Sequence, residues 1–246
     1  MKKSLLAGAI VFAALYPAAA GAATFKGTVV SSQPARHVLV VSSGTGLVRT
    51  VHSASKATAG AVVSVTAAAR ADGTFDASHI AVVGRVHKAR VQGVVLSRSN
   101  GITFLSGNRS VIAVRSARRA LASVGGGTPP PGAVANVGVT IGTQGTLTQT
   151  SIQTVGQSSD IVIQVTVDSI TPATATTAGS LVLKVGTQTF TVPLAIGSTL
   201  PATIVPGATV TLTISFGADG ATASGDDEND DSNDNNDNND DGSGSD

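Results

Sequence analysis

Residues 60–65 read GAVVSV, and related hexapeptides recur at 132–137 (GAVANV) and 207–212 (GATVTL). In each copy, a second glycine lies thirteen residues after the first: Gly73, Gly145 and Gly220. Glycine supplies the positive φ of tight turns without steric cost, and the residues between the two glycines follow a β-rich pattern. The spacing therefore predicts a turn, a long strand and a second turn, three times along the chain.

The residues around the first copy predict four more strands. Three strand-like runs, at 25–30, 37–42 and 47–52, precede it and are separated by turn signals. After it, a turn at Asp72-Gly73 leads into a last strand at 74–83. Five strands with a small connector between the third and the fourth form the strand order of an OB-type barrel.

A second unit repeats this order with the same spacing. Gly73 and Ile80 are seven residues apart, as are Gly145 and Ile152. Such agreement between variable segments indicates an internal repeat. The second unit differs in its connector, where residues 116–124 could form about two turns of helix before a Gly-rich and Pro-rich surface loop.

The third unit keeps the glycine hexapeptide but lacks a regular end. The position seven after Gly220 is Asp227 instead of isoleucine. The fifth strand is therefore reduced to 221–224 or absent, which leaves an exposed edge for a protein partner. The fold class predicted is all-β: tandem small five-stranded OB-like barrels, an incomplete third copy and a disordered acidic C-terminal tail.

These residues resemble a family of small exported bacterial β-barrel domains of OB-like topology and unknown function, often found in tandem. The typical copy has four motifs: Gly-x-Val, Gly-x-x-Val-x-Val, Asp-Gly-Thr and Ala-x-x-Ile. The first unit carries all four, at 27–29, 60–65, 72–74 and 77–80. The second unit has Gln144 in place of the aspartate, and the third lacks the first glycine and the final strand. The resemblance implies the fold and export, and it implies no catalytic residue.

The first residues have the pattern of a secretory signal peptide. Two lysines, an apolar run at 5–15 and small residues at 20–22 follow one another. An uncleaved membrane anchor is the alternative, but the run is shorter than the roughly 20 residues that a span needs. We therefore expect a secreted, periplasmic or cell-surface protein without a transmembrane anchor after cleavage. The expected domains are a signal peptide (1–22), OB-like repeat 1 (23–86), OB-like repeat 2 (87–158), a degenerate β repeat 3 (159–224) and a disordered Asp/Asn-rich tail (225–246).

The residue types that catalysis needs are scarce. The chain has no cysteine and no Gly-x-Ser-x-Gly motif, and its four histidines lack the spacing of a metal site. Asp72 and Asp76 are the only acidic residues of the first two units, and Asp72 fits a turn. We predict a protein that is not an enzyme and has no cofactor. Weak association of divalent ions is expected only in the tail, at Asp237, Asp240 and Asp241.

Charge is distributed unevenly along the chain. Residues 25–119 hold thirteen Lys and Arg against two Asp, whereas residues 226–246 hold ten acidic residues and no basic one. A basic OB-like region suggests a nucleic acid or another polyanion, but the chain has no Trp and few other aromatic residues for base stacking. Binding would therefore be to phosphate or carboxylate charge, with a solvated basic face as the alternative. The candidate residues are Arg85, Lys88, Arg90, Arg98, Arg109, Arg115, Arg118 and Arg119.

Two functions follow from the sequence. The first is a structural or interaction role for an exported, non-enzymatic β-repeat protein of the bacterial envelope or exterior. The second is a polyanion-binding module whose ligand is a phosphate-rich or carboxylate-rich polymer, such as an envelope polymer or a nucleic acid. In a variant of the second, the acidic tail masks the basic units and calcium releases them.

Overall fold

The computed structural model describes residues 22–116, 129–217 and 220–225. Within these ranges the chain forms fifteen β-strands and a short 3-10 turn, Pro34–Arg36. The strands belong to three sheets of five, in chain order. The same ranges contain no helix with the length and apolar character required to span a bilayer. The predicted signal peptide, the helical connector beyond Ser116 and the acidic tail lie outside the described residues.

The first unit is a closed barrel. Its strands are β1 (Ala23–Gln33), β2 (Val38–Ser42), β3 (Val48–His52), β4 (Ala61–Ala69) and β5 (Phe75–Arg85). They close in the order β1-β2-β3-β5-β4, in which β5 runs parallel to β3 and antiparallel to β4. This is the order of an OB-type barrel.

The second unit closes in the same order. Its strands are β6 (Lys88–Ser99), β7 (Ile102–Gly107), β8 (Ser110–Ser116), β9 (Ala133–Ile141) and β10 (Leu147–Gln157). Strand β10 pairs in parallel with β8 and antiparallel with β9, as β5 does with β3 and β4. The prediction of tandem OB-like barrels is confirmed.

The third unit is the same barrel opened at one seam. Its strands are β11 (Asp160–Thr171), β12 (Gly179–Val185), β13 (Gln188–Leu194), β14 (Thr209–Gly217) and β15 (Gly220–Gly225). They form an open sheet in the order β13-β12-β11-β14-β15. The predicted shortening of the fifth strand is confirmed, because β15 has only six residues. The two edge strands face each other, with Cα atoms of β13 and β15 within 8 Å, so the predicted exposed edge is partly occupied by the sheet's other edge.

The glycines that open the three hexapeptides adopt nearly the same conformation. Their φ values are +84°, +84° and +86°, which L-residues rarely adopt, at Gly60, Gly132 and Gly207. Each donates its amide N–H over 2.8 Å to the first strand of its own unit, at the carbonyl oxygens of Val29, Val95 and Val167. The glycine therefore turns the chain from the connector into the fourth strand and ties that turn to the first strand.

The three units are stacked by one joint that occurs twice. The carbonyl oxygen of Gly46, in the turn between β2 and β3, accepts the amide N–H of Gln92 on β6 over 2.7 Å. The carbonyl oxygen of Arg109, in the turn between β7 and β8, accepts the amide N–H of Gln164 on β11 over the same distance. In both cases the turn after a unit's second strand binds the first strand of the next unit.

Apolar side chains fill both joints. Val30, Val40 and Val48 of the first unit lie in the core of the second. In the same way, residues from β6, β7 and β8 lie in the core of the third unit: Leu96, Ile102, Phe104 and Val111. The outer face of one barrel therefore completes the core of the next, and this packing brings distant loops together.

Candidate anion-binding cleft

A cleft of about 590 Å³ lies where all three units meet. Its walls come from the 3-10 turn of the first unit, the turn between β7 and β8, and strands β11, β12 and β14. Five charged side chains line it: Arg36, Arg70, Asp72, Arg109 and Lys184.

Arg36 is held at the centre of this arrangement by neutral partners. The 3-10 turn begins at Pro34 and ends at His37, which has a left-handed conformation with φ +53°. Arg36 donates from Nη2 to Oε1 of Gln164 over 3.0 Å and from Nη1 to Oε1 of Gln33 over 3.5 Å. Its side chain is half-buried, and burial lowers the pKa of the guanidinium, which nevertheless stays protonated. Within the described ranges no carboxylate forms a salt bridge with Arg36.

Arg70 is paired within the first unit. Its Nη1 lies 3.0 Å and 3.2 Å from the two carboxylate oxygens of Asp76, and its Nε lies 3.8 Å from Oδ1 of Asp72. The charge of Arg70 is therefore balanced locally, so this residue contributes less to the potential of the cleft than Arg36 does.

Asp72 has the turn role that the sequence predicted. Its Oδ1 accepts the amide N–H of Thr74 over 2.9 Å and the Thr74 hydroxyl over 2.6 Å. Partial burial by itself raises the pKa of the Asp72 carboxyl. The bonds from Thr74 and the charges of Arg109 and Arg70 outweigh this effect and hold the pKa below its ordinary value. Asp72 is therefore an ionised wall residue at neutral pH.

Arg109 reaches the cleft through a strained turn that is fixed by the first unit. Asn108 and Arg109 have φ values of +47° and +63°. The Asn108 side chain accepts the amide N–H of Thr50 over 2.7 Å and donates to the carbonyl oxygen of Gly73 over 2.8 Å. These two bonds anchor the β7–β8 turn to the first barrel and thereby place Arg109 at the junction.

The cleft thus receives a cationic side chain from every unit: Arg36 from the first, Arg109 from the second and Lys184 from the third. Lys184 lies on β12 with an exposed side chain, opposite Thr166 of β11 in the ladder. Arg70 is paired with Asp72 and Asp76, whereas Arg36 and Lys184 form no salt bridge within the described ranges.

The structure describes six of the eight sequence-predicted cations. Of these, Arg109 lines the cleft and Arg115 lines a neighbouring one. Arg85 donates to Thr58 on the first unit, and Arg98 donates to Ser116 at the far end of the second. Lys88 and Arg90 are exposed at the beginning of β6. The remaining candidates lie outside the described residues: Arg118, Arg119, Asp237, Asp240 and Asp241.

Two cleft residues, Arg36 and Lys184, were missed by the sequence reasoning. Arg36 follows the turn signal Gln33-Pro34, and Lys184 is the only basic residue of the third unit. For Lys184, the available signal was an isolated cation in a nearly uncharged β-unit.

Metal-ligating groups do not cluster in this part of the molecule. Across 22–116, 129–217 and 220–225 there is no group of three or more His, Cys, Asp or Glu residues placed to hold a metal ion.

Comparisons with known proteins add little to the site. No protein-family model matches the chain, and no curated protein matches it. A crystal structure of a multidomain protein with nucleic acid binding domains from Streptococcus pneumoniae TIGR4 is 10% identical, with a TM-score of 0.23, and the match covers 82% of this chain and 71% of that one. Drosophila Unr CSD456 is 14% identical, with a TM-score of 0.20 and coverage of 82% and 95%. Likeness at this level carries no argument about binding, and the OB-like assignment rests on the strand order.

Proposed function

We propose that this protein is an exported, non-enzymatic β-repeat protein of the bacterial envelope or exterior that binds an anionic polymer in the cleft between its units. The main support is the half-buried guanidinium of Arg36, which donates to the amide oxygens of Gln33 and Gln164. Among residues 22–116, 129–217 and 220–225 it has no carboxylate partner. Burial of a charge is costly unless it is compensated. A guanidinium has five N–H donors, so Arg36 retains donors for a carboxylate or phosphate group.

The convergence of the units supports this proposal. Arg109 and Lys184 belong to different barrels from Arg36, and the packing of the stack places all three around one cleft. Charge-assisted hydrogen bonds to an anion are about twice as strong as neutral ones. An anionic group bound here is held by the whole stack, and exposed wall residues such as Lys184 leave the cleft open to a long polymer.

The cleft chemistry also supports a binding role over a catalytic one. Asp72 is the only carboxylate that lines the cleft among the described residues, and its pKa is held below the ordinary value. It is therefore unsuited to act as a general acid at neutral pH. The proposal of export, with a secreted, periplasmic or cell-surface location, is supported by the signal-like pattern of residues 1–22.

Titration of the protein with long-chain polyphosphate at low salt tests the proposal. Arg36→Gln and Lys184→Gln should each weaken binding about tenfold, which corresponds to about 1.4 kcal/mol per cation. Each should also lower the salt dependence, because fewer counterions are released. Lys56→Gln is the matched control, since Lys56 is an exposed cation of the connector between β3 and β4. Absence of binding, or equal weakening by all three changes, would reject the cleft as the site.

A further inference from the structure

A second cleft, of about 440 Å³, adjoins the first. The two have four lining residues in common: Gln33, Val111, Val185 and Gly186. These four residues come from all three units, and they form the boundary at which the two clefts meet. A ligand that extends across this boundary contacts both clefts.

The second cleft has a different chemical character from the first. In the part of the chain that the structure describes, Arg115 is its one charged lining residue, and most of its polar lining consists of amides and hydroxyls. Amide side chains donate and accept hydrogen bonds, and hydroxyl groups do the same. The neutral polar residues that line it are Ser31, Ser32, Gln33, Gln144, Thr146, Thr187 and Gln188.

Neither cleft has aromatic side chains, among residues 22–116, 129–217 and 220–225, on which the bases of a nucleic acid could stack. The stacked ring pair of the stack's interior, Phe104 and Phe190, is buried. Stacking on aromatic side chains supplies about 1–3 kcal/mol per base when proteins bind single-stranded nucleic acid. A polymer that carries both anionic groups and neutral hydroxyl groups fits the two clefts better than a nucleic acid does.

Resting on the proposed function, we infer that the ligand is an acidic polysaccharide. Its carboxylates bind Arg36, Arg109 and Lys184 in the first cleft, and its hydroxyl groups exchange hydrogen bonds with the amides of the second cleft. Gln144 and Gln188 are the residues that distinguish this ligand from a simple polyanion, because a polyphosphate chain has no hydroxyl groups along its length to engage them.

Four probes at equal charge or monomer concentration test this assignment: polygalacturonate, its fully methyl-esterified form, long-chain polyphosphate and single-stranded DNA. Polygalacturonate should bind most tightly, and esterification should weaken binding at least tenfold because it removes the carboxylates. The double change Gln144→Ala with Gln188→Ala should weaken polygalacturonate binding about three- to tenfold, as expected for one or two lost hydrogen bonds, and leave polyphosphate binding unchanged. Gln153→Ala, an exposed glutamine of β10 that lines neither cleft, is the control.

The outcomes separate the inference from the proposed function. Binding of polyphosphate without binding of polygalacturonate overturns the inference and leaves the proposed function intact. The inference is also overturned, in favour of a nucleic acid, if single-stranded DNA binds more tightly than polygalacturonate and the glutamine changes do not affect DNA binding. Equal weakening of polysaccharide and polyphosphate by the glutamine changes overturns it as well, and failure of every polyanion to bind at low salt overturns both.

Discussion

The rings of Phe104 and Phe190 stack across the boundary between the second and third units, with centroids 4.7 Å apart and planes inclined by 30°. Both side chains are essentially inaccessible to solvent, and they belong to a core that joins the outer face of the second barrel to the inside of the third. The neighbouring barrel therefore completes the core of the open third sheet. This coupling suits a protein without cysteine, because stacking supplies the buried area that a small unit lacks by itself.

Replacement of Phe104 by alanine should lower the free energy of unfolding by about 3–5 kcal/mol, since it leaves a large cavity in a shared core. Phe190→Ala should have a similar cost. The double variant should lose about 0.5–1.5 kcal/mol less than the sum, because the ring–ring contact is lost only once. Urea unfolding followed by circular dichroism measures all three values, and strict additivity would argue against an energetic contact between the rings.

Closure of the first two barrels depends on a glycine in their first strand. A Cβ atom added at Gly93 would lie 2.5 Å from the carbonyl oxygen of Ser106, and one added at Gly27 would lie 2.6 Å from that of Ser42. By the ladder register, the corresponding residue of the open third unit is Val165. Glycine is thus retained where the backbone of a closed barrel approaches closely, in keeping with its use at tight barrel corners.

Gly93→Ala should therefore destabilise the second barrel by about 1–3 kcal/mol through overpacking against backbone. The control is Gly44→Ala, because a Cβ there meets nothing within 4 Å. Thermal unfolding of both variants measures the difference. An unchanged melting temperature for Gly93→Ala would show that the strand can shift and that the close approach is not required for closure.

The fold was predictable from the sequence because its determinants are local. A glycine such as Gly60 reports a positive φ at its own position, and strand alternation is read within a few residues. The cleft was not predictable in the same way. Arg36 and Lys184 are in different units, and only the packing of those units brings them together. Counting charge along the chain pointed instead to Arg85 and Lys88, which are close in sequence but lie outside the cleft.

The third unit has a polar residue where the other two have an apolar one. In each first strand the ladder skips one residue, and these residues are Val30, Leu96 and Asp168. Val30 and Leu96 are buried in the next unit, whereas Asp168 is exposed. Repeat stacks require a polar face at their ends to stay soluble, and Asp168 gives the third unit a polar residue on this face.

Asp168→Leu should give the third unit the apolar residue that the other two have at this position. The variant should self-associate increasingly with concentration, because an apolar side chain on this face can pack against another molecule. Sedimentation velocity over a hundredfold concentration range is the measurement. Asp168→Asn, which removes the charge but remains polar, should sediment as the unchanged protein does. Association of the asparagine variant to the same extent would assign the effect to charge repulsion, and a leucine variant that does not associate would remove the capping role.

Asp72 gives the stability of the first unit a defined dependence on pH. Its folded pKa lies below the ordinary value for an aspartate, about 3.9, so its contribution is complete above that value and is lost as the pH falls through the lower, folded pKa. Because the carboxylate is partly exposed, the contribution should be less than about 1 kcal/mol. Asp72→Asn retains an oxygen that can accept from Thr74 but has no charge to titrate. The difference in urea midpoint between the unchanged protein and this variant should therefore be constant near neutral pH and shrink below about pH 4. A difference that persists undiminished in acid would mean that the carboxylate contributes through its shape and hydrogen bonds and not through its charge.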